Sequence, residues 1–155
     1  MWRGRRSWLA LVAAGLNAAA WFMPVAEVPG PSPRDLPDIV TGWKAFKELL
    51  FPLKLANTIS DGLLGALNLA SPLTNLVFIV ALVVLLRDGD RLARTSRRVE
   101  AVLWICLALN CQWFFLVGIE YLHNGYYVWL GSFALLALAI RQRRGELSGI
   151  PHRVT

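Results

Sequence analysis

Glu120 and His123 come closer than any other pair in this chain to a spacing that does chemistry. In the stretch IEYLHNGYY they stand three positions apart. If helicity persists there, a carboxylate and an imidazole share one face, the arrangement by which some helical bundles hold a metal or move a proton. A metal needs further ligands. The other histidine, His152, lies in the C-terminal tail, so a site would have to recruit Asp35, Asp38 or Asp61 from the segment between the first two apolar runs. A membrane enzyme of this kind requires one of those carboxylates within hydrogen-bond reach of the pair, about 3 Å. The plainer expectation is a pair that hydrogen-bonds locally and accepts a neighbouring helix. The chain has no HExxH, GxSxG, glycine-rich phosphate loop or dinucleotide fingerprint, and no metal or cofactor is expected.

Asn17, Asn75, Asn110 and Gln112 form a second set, each inside an apolar run. Amides in hydrocarbon need partners, and the simplest are one another across a bundle. Asn17 and Asn110 fall at comparable depths. The competing expectation is a polar substrate path, in which the four converge on one cavity facing Trp43 to Phe51. No carboxylate or arginine occupies a span centre, which speaks against a proton-coupled antiporter. Glu100, beside Arg97 and Arg98, is explained by local salt bridging or by the start of its helix.

The elements that must position these residues follow from composition. Of 155 residues, 56% are hydrophobic and 17% charged, and the mean hydropathy is +0.50. That leaves too little polar surface for an ordinary soluble domain. Arginines fall in three clusters beside apolar runs: Arg3, Arg5 and Arg6; Arg87, Arg91, Arg94, Arg97 and Arg98; and Arg141, Arg143, Arg144 and Arg153. The formal charge of +6 therefore reports orientation in a bilayer and not a nucleic-acid partner. The middle cluster also suits anionic lipid headgroups. Cys106 and Cys111, five apart in one run, face different sides of a helix and are read as packing residues, not a disulfide.

The chain is accordingly expected to be an all-α integral membrane protein, a single membrane domain over residues 1–155. Its four-helix transmembrane bundle has spans at about 8–23, 69–86, 99–119 and 126–140. The first resembles a secretory signal, but Trp21, Phe22 and Met23 are bulky where cleavage wants small residues, so it is read as a retained span. In the second, Ser71 and Pro72 look like an N-cap and first helical residue. Leu63 to Ala70 is apolar too, so either the span begins earlier with a proline kink or a short separate helix precedes it. Trp8, Trp21, Trp113, Tyr121, Tyr126, Tyr127 and Trp129 lie near span ends, as amphipathic rings should, and Gly118, Gly125 and Gly131 offer close helix approach. The segment RDGDRLARTSRR is read as an inner loop. Both termini are expected in the cytoplasm of a bacterium whose inner membrane holds the spans.

Two loops remain on the other side, at about 24–68 and 120–125. Residues 25–38, with Pro29, Pro31, Pro33 and Pro37, are expected to be extended and to form no interior helix or central strand. From Thr41, Trp43, Phe46, Leu49 and Leu50 recur at helical spacing with Lys44, Lys47 and Glu48 facing elsewhere. This predicts an additional amphipathic helix in the long first outer loop, lying in the interface plane or capping the bundle. Abundant apolar bulk without convergent ionisable groups leads to a non-catalytic accessory or assembly subunit of a larger membrane system. A small transporter or lipid-handling protein comes second, and an enzyme third. Its expected partners are membrane lipids and another membrane protein or a second copy.

Overall fold

A computed structural model describes residues 8–28, 36–50, 63–87 and 89–148. It is mostly helical: α1 (Trp8–Ala20), β1 (Pro24–Val28), β2 (Asp38–Thr41), α2 (Gly42–Leu50), α3 (Leu63–Arg87), α4 (Gly89–Asn110), the single turn α5 (Trp113–Leu116), a 3-10 turn at Ile119–Tyr121, and α6 (Asn124–Ser148).

Two helical stretches, Ala70–Arg87 and Ser96–Leu116, are long and apolar enough to cross a membrane. Four such stretches are not present among the described residues. The 13 residues of α1 span only about 20 Å at 1.5 Å per residue, against a hydrocarbon thickness of about 30 Å. Helix α6 is long enough, but its apolar part ends at Ile140, where Arg141, Arg143 and Arg144 follow.

The four long helices run up and down with α6 at the centre, packed between α1 and α4, while α3 packs on α4 and barely touches α1. Helix α1 meets α6 through small side chains. Its buried residues are Ala10, Ala13, Asn17 and Ala20, a stripe that lets two backbones approach closely. The shared core brings in Phe78, Leu103, Phe133, Leu136 and Ile140, with Phe78 and Phe133 edge to face at 5.1 Å. At the arginine end, Arg144 Nη1 on α6 lies 2.6 Å from Glu100 Oε2 on α4. The partner of Glu100 is thus a residue 44 positions away, not the neighbouring Arg97 or Arg98, both of which are exposed.

Several expectations need correction. The chain is not all-α: β1 and β2 form an antiparallel pair with Ala26 opposite Val40 and Val28 opposite Asp38, and an irregularity between Pro24 and Ala26. Proline excludes a central strand, but Pro24 occupies the first position of β1, where a missing N–H is tolerated. Ser71 is no N-cap. Helix α3 begins at Leu63 and carries Pro72 in its interior, so the apolar residues before Ser71 belong to the same helix and not to a separate one. The segment expected to be an inner loop is instead helical from Gly89 onward, because arginine, leucine and alanine are good helix formers and positive charge does not end a helix. Helix α4 stops at Asn110, short of Ile119, and turns at Cys111 and Gln112. Cys106 and Cys111 are free thiols.

Opposite the arginine end, the strand pair and α2 form a cap. Backbone hydrogen bonds from Gly42 N to Met23 O (3.2 Å) and from Trp43 N to Trp21 O (2.8 Å) tie α2 to the end of α1. On the far edge of β1, Ala26 bridges Leu122, and His123 N donates to Val25 O at 3.1 Å. Two glycines permit this closeness. A Cβ on Gly42 would stand 2.5 Å from Ala20 O, and one on Gly125 2.4 Å from Pro24 O. A Cβ on Gly131 would meet open space.

Candidate functional site

Beneath the cap lies a chamber of about 360 Å³, walled mainly by apolar groups from the end of α1, both strands, α2, α3, α5 and α6. Its roof is Val28, Val40, Ala45 and Phe46, and its floor is Ser71, Asn75, Trp113, Tyr126 and Trp129. Trp21, Trp43 and Phe46 cluster at the flank, with Trp21 and Phe46 edge to face at 4.7 Å and Trp21 and Trp43 5.7 Å apart.

The floor is polar because each aromatic ring that reaches it has an N–H or O–H to satisfy. Trp113 Nε1 donates to Ser71 Oγ at 3.4 Å, and Ser71 Oγ donates to Asn110 Oδ1 at 2.9 Å. Asn110 Nδ2 donates to Thr74 Oγ1 at 2.9 Å, and Thr74 Oγ1 returns a bond to Ser71 O at 2.6 Å. Tyr126 Oη donates to Asn110 O at 2.6 Å, capping the α4 terminus, whose carbonyls have no following helical N–H. Asn110 is fully buried in this network.

The amides go to separate helix pairs. Asn110 joins α4 to α3. Asn17 joins α1 to α6, donating from Nδ2 to Ser132 Oγ at 3.0 Å while its Oδ1 accepts from Trp21 Nε1 at 3.3 Å. Asn75 joins α3 to α6, its Oδ1 accepting from Trp129 Nε1 at 2.9 Å. Of the four candidate amides, Asn75 alone lines the chamber; Gln112 stands half-buried in the turn after α4 and does not.

Glu120 and His123 are not drawn together as a helical pair. Glu120 belongs to the 3-10 turn and folds its carboxylate over Gly118. His123 follows the bridge at Leu122, and its Nε2 lies 3.3 Å from Glu27 Oε2 without hydrogen-bond alignment. Asp38 pairs with Lys44 Nζ at 2.5 Å, and Asp35 and Asp61 lie outside the described residues. Among the described residues, no three of His, Cys, Asp and Glu meet in a group able to hold a metal.

On α2, Trp43 is half exposed and Phe46 lines the chamber, which places this helix over the bundle end; the side chains of Leu49 and Leu50 lie outside the described set. Arg87, Arg97 and Arg98 are exposed. Arg91 and Arg94 fall in the first turns of α4, their side chains likewise outside that set. The residues that sequence reasoning missed are Ser71, Thr74 and Ser132, hydroxyls whose signal was their position inside apolar helices.

No family model, curated protein or solved structure matches this chain. The chamber and its polar floor are therefore read from their own geometry.

Proposed function

We propose that the chain is a four-span integral membrane protein of a bacterial inner membrane that acts as a non-catalytic accessory or assembly subunit. Helices α1, α3, α4 and α6 are the spans, the arginine end and both termini are cytoplasmic, and the strand pair with α2 caps the opposite face. The observation that carries this reading is the outward surface of α3 and α4. Leu76, Ile79, Val80 and Val83 on α3, and Val102, Trp104 and Ile105 on α4, are all exposed. Water would penalise so continuous an apolar surface, whereas lipid or a partner helix accepts it. The short spans α1 and α6 fit by packing against their longer neighbours and by local thinning of the bilayer. The exposed arginines suit the anionic cytoplasmic leaflet.

A second reading, lipid handling, is favoured by the apolar chamber beneath the cap. A polar solute path draws less support, since the amides divide among three helix interfaces. To separate the two main readings, the full chain is purified in mild detergent at its native abundance and its mass and bound molecules are measured. A defined stoichiometric complex with another membrane protein or a second copy supports the accessory role. A lone chain of about 17.3 kDa carrying lipid contradicts it and moves the function to lipid handling.

A further inference from the structure

Asn75 is 8% exposed, it lines the chamber, and only one side of its amide is used. Its Oδ1 accepts from Trp129, while Nδ2 has no acceptor among the described residues. Every other chamber-floor donor described above has a protein partner, so among the described residues Asn75 Nδ2 is the floor donor left facing the chamber. The Nδ2 group is open to the chamber, where a ligand oxygen would accept a hydrogen bond from it.

The chamber has a neighbour. A second apolar volume of about 370 Å³ runs along the seam between α1 and α3, lined by Ala14, Ala18, Phe78, Ile79 and Leu82 and open at its side. These two helices scarcely touch, which is why the seam exists. Trp21 lines both volumes, and its ring is held by Asn17 Oδ1. Trp21 thus stands at the boundary between the seam and the chamber that Asn75 lines.

We infer that the chamber takes one acyl chain of a membrane phospholipid, admitted between α1 and α3, with the ester carbonyl accepting a hydrogen bond from Asn75 Nδ2. The chamber of about 360 Å³, set against the cavity of about 150 Å³ that holds a benzene-sized guest, accommodates the carbonyl-proximal part of such a chain, about a dozen carbons by that proportion. Asn75 also sits level with Trp113, Tyr126 and Trp129, rings of the kind that occupy the membrane interface, where lipid carbonyls lie. This inference rests on the four-span placement proposed above.

The test uses the unaltered full chain in bilayer discs containing equal amounts of a diester phosphatidylglycerol and its diether analogue, which lacks the carbonyls. After transfer to mild detergent, retained lipid is counted by native mass spectrometry. The expected result is one lipid per chain, with the diester retained about fivefold over the diether, the ratio one net hydrogen bond supplies. Asn75→Leu should abolish that ratio, and Ala45→Trp, which fills the chamber from its roof, should lower retention at least tenfold. Equal retention of diester and diether by the unaltered chain overturns the Asn75 assignment without needing any variant to fold. Undiminished retention by a folded Ala45→Trp protein, checked by circular dichroism and elution volume, overturns the chamber as the site. A chain that fails to enter the discs at all contradicts the membrane placement itself, and with it the proposal, and is distinguishable from a chain that inserts but retains no lipid.

Discussion

The hydroxyl of Tyr126, at the start of α6, donates to the backbone carbonyl of Asn110, the last residue of α4, at 2.6 Å. This hydrogen bond ties the end of α4 to the start of α6 across the α5 turn. Tyr126→Phe keeps the ring packed edge to face against Phe114 but leaves a buried carbonyl unsatisfied. The expected loss is about 1–3 kcal/mol, read as a lower midpoint in thermal unfolding of the detergent-solubilised protein. An unchanged midpoint would show that water or another donor already serves that carbonyl.

Asn17, in the last turn of α1, and Ser132 couple α1 to α6. Measured interhelical hydrogen bonds in membranes average about 0.6 kcal/mol and reach about 1.7. A double-mutant cycle with Asn17→Ala and Ser132→Ala should return a coupling in that range. Asn17→Ala alone should also redshift or broaden tryptophan emission, because Trp21 loses its anchor. Strict additivity of the two substitutions would mean that the contact contributes nothing.

At the arginine end, Glu100 is 14% exposed and Arg144 30%, so solvent screens the pair only in part. Arg144→Ala should cost about 1–2 kcal/mol, less than the 3–5 seen for fully buried pairs. Arg141→Ala, at an exposed position, should stay within about 0.5 kcal/mol of the unaltered protein. Chemical unfolding of both variants side by side distinguishes a specific ion pair from a general effect of charge.

The cap depends on Gly125, where an added Cβ would stand 2.4 Å from Pro24 O and 2.7 Å from Met23 Cβ. Gly125→Ala must push β1 away, at a cost of about 1–3 kcal/mol typical of overpacking. Limited proteolysis of the cap should accelerate in this variant. Gly131→Ala, whose Cβ meets open space on the same helix, should leave the digestion pattern unchanged.

What was legible in the sequence divides along the range of the interactions involved. Apolar runs are local, so the long helices could be located though not bounded, and the small-residue stripe Ala10, Ala13, Asn17 and Ala20 was there to be read as a packing face. The strands were not legible. PVAEV and DIVT are too short for alternation to speak, and the surrounding prolines hide a pairing created only when β1 docks beside Leu122. Nor were the amide partners legible: Asn75 finds Trp129 and Asn110 finds Ser71 across helices whose relative rotation no periodicity specifies. The ends of α4 were misplaced for opposite reasons. Its start was hidden because an arginine cluster that marks a membrane boundary is also good helical sequence, and its stop because Asn110 is claimed from both sides by other helices. The chamber had one signal, the concentration of Trp113, Tyr126 and Trp129, whose polar atoms all needed partners.

The most direct measurement of the membrane placement is two-sided labelling of the full chain in intact cells, with Cys106 and Cys111 replaced by alanine. Single cysteines are introduced as Ser32→Cys, in the proline-rich sequence between β1 and β2, and Thr95→Cys, beside the middle arginine cluster. A membrane-impermeant maleimide should label the first from outside and the second only after permeabilisation. Labelling of both from the outside, or of Thr95→Cys alone, would contradict the four-span arrangement with its arginine end in the cytoplasm.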